Sequence, residues 1–274
     1  MSNHELSIVF FLALAAILLT CRLVGYLARF VGQPQVVGEM IAGVLIGPSL
    51  LGLLAPQAQQ ALFPKAVMPV LYVVAQIGLV LYMFLVGLDF DVELLRRRAK
   101  SAVTVSWAGI LVPFALGSLI ALAFHGDAGL FAEKVSIGEA ALFMGAAMSI
   151  TAFPMLARII HERGLSGTSM GTLALAAGSA DDAAAWCILA VVLASFSGHA
   201  AIAVWAIGGG IGFALFAFFV LRPLLARAGA WIERREAYDS IALPGALMLL
   251  ATAAWYTDKV GIYAVFGAFV LGAA

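Results

Sequence analysis

Apolar residues fall in long unbroken runs along this chain, separated by short polar stretches at nearly regular intervals. A helix that crosses a bilayer needs about 20 predominantly apolar residues, and these runs reach that length. Taking charges, Pro and Gly as boundaries, a first span is predicted at about Leu6–Ala28 and a second at about Gln33–Leu54. The second is rich in Gly and Pro, so it is expected to be short or broken. After the polar connection from Pro56 to Lys65, further spans follow at about Met68–Leu88, Ser101–Phe124, Ile137–Ile160, Ser169–Phe196, Ala201–Leu221 and Ile241–Tyr256. A ninth begins at Val260 and is cut off at Ala274. The expected fold class is an all-α polytopic membrane protein with eight complete transmembrane helices and a truncated ninth.

Composition agrees with that pattern. The 274 residues are 64% hydrophobic and only 11% charged, against about 25% charged in a soluble domain. Mean hydropathy is +1.08. The 15 basic and 15 acidic residues cancel, so their placement carries more information than their sum. With the N-terminus outside, Arg22, Arg29, Arg96, Arg97, Arg98, Lys100, Arg158, Arg163, Arg222, Arg227, Arg234 and Arg235 all gather on the inner connections. Only Lys65, Lys134 and Lys259 are left outside. Beyond the short Arg96–Arg98 run no strongly basic stretch suits nucleic acid. Cys21 and Cys187 lie within apolar runs, which does not indicate a disulfide framework. The residues before the first run lack a basic signal-peptide region, so that run is read as a retained span. The short apolar end leads to the expectation that the chain is the N-terminal portion of a longer protein.

Against this apolar background Asp181 and Asp182 stand out, adjacent and in the middle of the sixth span. A charged residue at the bilayer centre costs about 2.5–3.5 kcal/mol on insertion scales, so such a pair points to a function. Helical neighbours project about 100° apart, and the two acids therefore cannot share one orientation. Close carboxylates resist double ionisation and titrate as a coupled pair. A site that holds a proton and trades it for a cation follows from that chemistry. The structural alternative is an acid paired with an intramembrane base, but no Lys or Arg is predicted near mid-membrane.

Ser149-Ile150-Thr151-Ala152-Phe153-Pro154 interrupts the fifth span. Pro154 lacks an N–H and clashes with the carbonyl of Ile150. Freed carbonyls beside the Ser149 and Thr151 hydroxyls are able to line an ion site, as in transporters built on broken helices. A simple proline kink explains the same residues. Glu39 reads best as an interfacial cap near the start of the second span. Asp89, Asp91 and Glu93 read as a solvated connection. His4, His125, His161 and His199 fit no metal spacing. The Gly208-Gly209-Gly210 and Gly212 stripe suits close helix packing, either between subunits or within one chain.

The chain resembles a monovalent cation:proton antiporter of the CPA2 family. The likeness rests on Gln33-Pro34 through Pro48-Ser49-Leu50-Leu51-Gly52, on Met83-Phe84-Leu85-Val86-Gly87-Leu88-Asp89-Phe90-Asp91 and on Thr151-Ala152-Phe153-Pro154-Met155-Leu156-Ala157-Arg158. Asp181-Asp182 and Gly261-Ile262-Tyr263-Ala264-Val265-Phe266-Gly267-Ala268-Phe269 complete it. The resemblance implies an NhaA/NapA-like inverted-repeat fold whose second half is incomplete here, because family members have twelve or thirteen spans. It assigns residues 1–65 to the scaffold or dimerisation side and 66–196 to a mobile core; 197–274 form further helices. Asp182 would bind cation or proton, Asp181 would modulate it, and Thr151 would line the unwound crossing with Ser149, Ala152 and Pro154.

The implied activity is exchange of Na⁺ or K⁺ for H⁺ by alternating access, in a homodimer in a cell membrane of the bacterial inner-membrane type. No cofactor is implied, and the only metal at Asp181 and Asp182 is the transported cation. The truncated chain alone is not expected to exchange ions. A glutathione- or nucleotide-gated K⁺ efflux system commonly has Gln-Asp in place of the paired acids. A non-transporting sensor on the same fold is a further alternative. An intramembrane aspartyl protease is disfavoured: Tyr238-Asp239 imitates half of its signature, but the required Gly-x-Gly-Asp is missing.

Overall fold

The structure is a computed structural model that describes the chain apart from residues 91, 127–129, 133–134, 198 and 234–241; at 92–99, 102, 197 and 231–233 it describes the backbone alone. Asp91, Lys134, Arg234, Arg235, Tyr238, Asp239 and the predicted start of the eighth span at Ile241 therefore lie outside the described residues, as do the side chains of Glu93 and Arg96–Arg98.

Among the described residues thirteen α-helices and one π-helical turn follow in order, with no strand. They are α1 (Asn3–Phe30), α2 (Gln35–Ile46), α3 (Leu51–Leu54), α4 (Pro56–Leu62), α5 (Met68–Leu88), α6 (Val92–Phe124) and α7 (Ile137–Ser149). Then come α8 (Phe153–Glu162), α9 (Ser169–Ser197), α10 (Ala201–Phe216), the π turn Ala217–Leu221, α11 (Arg222–Glu233), α12 (Leu243–Val260) and α13 (Ala264–Ala273). Among the described residues seven stretches are long and apolar enough to cross a membrane: Asn3–Phe30, Gln35–Leu54, Met68–Leu88, Val103–Phe124, Ile137–Glu162, Ser169–Phe196 and Ala201–Ala230. The chain is a multi-pass membrane protein. Helix α12 forms where the eighth span is predicted but its last turn carries Asp258 and Lys259 before Val260, and α13 is a ten-residue apolar helix. Large side chains such as Phe11, Leu19, Leu53 and Phe219 stay exposed; in lipid this is the favourable state, while backbone groups must be satisfied internally, which is why the runs are helical.

The chain forms two compact units, Met1–Leu79 with Ala157–Leu165, and Val80–Leu156 with Ser166–Ala274. In the first, a capping box between Ser2 and Glu5 opens α1. Helix α2 then crosses α1 where Gly38 meets Gly25, so closely that a Cβ at Gly38 would overlap the Gly25 backbone. Ala13, Phe63 and Val67 form a small core with Phe10, Ile17 and Ile46 around it.

Glu39 is not the helix cap that its position predicts. Helix α2 begins at Gln35, which leaves Glu39 beyond the first turn. Its Oε1 instead takes the Arg158 guanidinium at 2.6 Å and Gln35 Nε2 at 3.0 Å. The capping role falls to Glu162, whose Oε2 accepts from the Gln35 backbone N–H at 2.7 Å. A carboxylate there satisfies an orphan donor and suits the positive end of the helix dipole. Arg29 bonds Gln35 Oε1 at 2.5 Å, Arg158 Nε lies 3.4 Å from Glu162, and Arg163 donates to the Gly32 carbonyl at 3.0 Å. Together these contacts bind the last turns of α8 to the α1–α2 corner within this unit.

In the second unit α6, α7 and α9 pack on one another, α10 lies against α9 and α12, and α12 against α13. Helix α13 is apolar all round and correspondingly buried from Gly267 to Gly272. Its Phe269 meets Phe90 and Phe153 edge-on, with centroids 5.3 Å and 4.9 Å apart. Gly87 and Gly272 let the backbones of α5 and α13 touch. The glycine stripe of α10 divides its work. Gly209 and Gly210 receive the Val260 and Ile262 side chains of this same chain, whereas Gly208 and Gly212 have open space beside them.

Candidate functional site

Asp181 and Asp182 lie at the middle of α9, on two different faces of it. Gly178, Asp182 and Trp186 recur every four residues and so line one face. Gly178 lacks a side chain where Leu156 and Phe153 press in: a Cβ would come within 2.7 Å of Leu156 and 3.4 Å of Phe153. That clearance admits the first turn of α8. The half-buried Asp182 carboxylate accepts hydrogen bonds from the Phe153 backbone N–H and from the indole N–H of Trp186. Phe153 is the first residue of α8, so its N–H has no partner within the helix and the dipole favours an anion there.

Asp181 faces elsewhere. It is buried, 7% exposed, and accepts a hydrogen bond at Oδ1 from the Ser106 hydroxyl on α6, which is equally buried. Its Oδ2 lies beside Gly109, 3.2 Å from where a Cβ would stand.

The fifth predicted span is not kinked but interrupted. Helix α7 opens on a capping box between Ser136 and Glu139 and ends at Ser149; Ile150 is extended (φ −69°, ψ 122°), and α8 starts at Phe153. Pro154 becomes the second residue of the new helix, where a missing N–H costs nothing. The clash expected in a continuous helix is thereby removed. The break brings the carbonyl-rich end of α7 and the N–H-rich end of α8 within three residues of each other along the chain. Thr151 and Ala152 are exposed in the gap and Pro154 is half-buried. Ser149 is buried, with its hydroxyl donating to the Ala146 carbonyl at 3.1 Å.

Trp186 also stacks on Tyr263, with centroids 4.8 Å apart and planes 14° from parallel. Tyr263 has φ 89° and ψ 138°, a conformation that costs a non-glycine residue about 1–3 kcal/mol. Among the described residues no group of three or more His, Cys, Asp or Glu could hold a metal ion.

The fold and this site meet an independent finding: the family model described as "Sodium/hydrogen exchanger, transmembrane" matches residues 13–274. The chain belongs to the sodium/hydrogen exchanger family. Among its relatives, the Na(+)/H(+) antiporter NhaS4 of Synechocystis sp. is 39% identical, over 92% of this chain and 62% of that protein. Cation/H(+) antiporter 17 of Arabidopsis thaliana is 37% identical, over 95% of this chain and 32% of that protein. K(+)/H(+) antiporter 1 of Saccharomyces cerevisiae is 31% identical, over 99% of this chain and 32% of its own length. The chain spans less than two thirds of the length of each of these relatives.

Several of the residues described in the two units are not apparent in the hydropathy pattern. Trp186 had a usable signal, since it stands four positions after Asp182 on an apolar helix. Ser106 and Gly109, three apart on α6, had only a weak one, a polar and a small residue on one face. The Phe153 N–H and the Glu39–Arg158 pair had none.

Proposed function

We propose that this chain is the membrane-embedded part of a secondary antiporter, a transporter rather than an enzyme, that exchanges Na⁺ or K⁺ for H⁺ with Asp182 as the shared carrier. The observation that carries this reading is the placement of the Asp182 carboxylate against the N-terminus of α8, directly after the 150–152 break. One carboxylate cannot hold a cation and a proton together, so competition at Asp182 couples the two fluxes. Asp181 modulates it. The Thr151 hydroxyl and the carbonyls ending α7 are available to complete a cation's oxygen shell, with Ser149, Ala152 and Pro154 shaping the crossing. The names of the relatives, which include Na⁺/H⁺ and K⁺/H⁺ antiporters, support the class of exchange and leave both cations in play.

In the same reading the full protein has an NhaA/NapA-like inverted-repeat fold, of which this chain supplies eight spans and the start of a ninth. Residues 1–65 belong to the scaffold of a homodimer and 66–196 to a core that moves by alternating access. The N-terminus is outside and the membrane is a bacterial inner membrane. The test is pH-driven Na⁺ and K⁺ exchange by the full-length protein in proteoliposomes. Asp182→Asn should abolish exchange with either cation while leaving expression and folding intact. Undiminished exchange would overturn the reading. A wild type that exchanges neither cation, yet changes conformation when either is added, would favour the sensor reading.

A further inference from the structure

The acid pair answers to two different helices. Asp182 is held from the α8 side, as described above. Asp181 is held from α6 by the Ser106 hydroxyl at Oδ1, and its Oδ2 lies beside Gly109, close to where a Cβ would stand. Ser106 and Asp181 are 6% and 7% exposed, so bulk water cannot take over the bond if one partner is lost. Four residues after Gly109 stands Pro113, inside α6. Without an N–H, Pro113 leaves the Gly109 carbonyl without its helical donor. The Asp181 carboxylate and the Ser106 hydroxyl thus meet between α9 and α6, about one helical turn along α6 from the carbonyl that Pro113 releases, and oxygens of these kinds replace a cation's hydration shell.

We propose that Ser106 is the positioning residue for Asp181 and that, with Gly109, it forms the α6 wall of the exchange site, setting its affinity for the cation. This rests on the reading of Asp182 as the carrier. A hydroxyl both donates and accepts, so Ser106 keeps its bond whether Asp181 is ionised or protonated. It donates to the carboxylate and accepts from the carboxylic acid. The Asp181 carboxyl group is therefore held in the same place whether it is charged or neutral. Gly109 leaves clearance beside the carboxylate, and a methyl there would press on Oδ2.

The experiment measures the apparent KM and kcat for Na⁺ and K⁺ in proteoliposomes of the full-length protein, alongside cation-dependent thermal stabilisation in detergent. It compares wild type, S106A, S106T and S106A in a D181N background, with D182N as control. S106A should raise the KM about tenfold with kcat within about twofold, the size of losing one hydrogen bond to a charged group. S106T should restore the KM to within about twofold of wild type. In the D181N background S106A should change the cation midpoint less than about twofold, because its partner is already altered. An unchanged KM in S106A, a lack of rescue by Thr, or the same loss with and without Asp181 would each overturn the proposal. Should S106A not fold, Ser106→Cys keeps the volume with a weaker donor and is judged by the same criteria. Loss of the Ser106 effects while D182N still abolishes exchange refutes this proposal alone; intact exchange in D182N refutes the antiport reading itself.

Discussion

Breaking the Glu39–Arg158 ion pair should cost this protein more from one side than from the other. The pair has one N–O distance of 2.6 Å, and its side chains are 38% and 22% exposed. Two unit charges about 4 Å apart attract by about 4 kcal/mol at an effective dielectric of 20. Fully exposed pairs deliver about 0.2–1 kcal/mol, and breaking buried pairs costs about 3–5 kcal/mol. A half-buried pair falls between, at a coupling of about 2 kcal/mol. The surroundings then separate the two variants. Glu39→Gln leaves Arg158 with Glu162 at 3.4 Å, so its charge stays partnered. Arg158→Gln leaves Glu39, among the described residues, with the neutral Gln35 amide at 3.0 Å and no basic side chain, and an uncompensated carboxylate in an apolar helix is the costlier result. The expected losses are about 1–2 kcal/mol for E39Q, about 2–3 kcal/mol for R158Q, and no more than about 3 kcal/mol for the double variant. Equilibrium unfolding in mixed micelles, run as a double-mutant cycle, measures all three. Losses that simply add, or E39Q costing more than R158Q, would refute the argument.

Two further outcomes test packing and strain. Gly87→Ala should destabilise by about 2–4 kcal/mol in the same assay, because its methyl would meet the Phe269 and Gly272 backbones, which cannot move aside as a flexible side chain can. A loss under about 0.5 kcal/mol would mean that α5 and α13 do not touch there. Tyr263→Gly relieves the positive φ but loses the Trp186 stack, whereas Tyr263→Ala loses the stack and keeps the strain; the Gly variant should be the more stable by about 1–2 kcal/mol. Equal stabilities would show that Tyr263 is unstrained.

The sequence by itself determined seven of the predicted membrane-crossing stretches, since hydropathy and backbone self-satisfaction are local requirements that each of those runs meets alone. It also determined that two acids sit at mid-helix and that Pro154 disturbs the helix around it. Tertiary structure decided how that disturbance resolves, as a break at 150–152 with Pro154 in a new first turn, because only packing chooses between a bent helix and two short ones. It also decided what each acid meets. Ser106 reaches Asp181 across 75 positions and Arg158 reaches Glu39 across 119. Hydrophobic periodicity reports which face of a helix is apolar, but not which distant helix will face it. The pairing of Asp181 with α6 and of Asp182 with α8 therefore exists only once α6, α8 and α9 are packed, at glycines whose meaning is steric and three-dimensional.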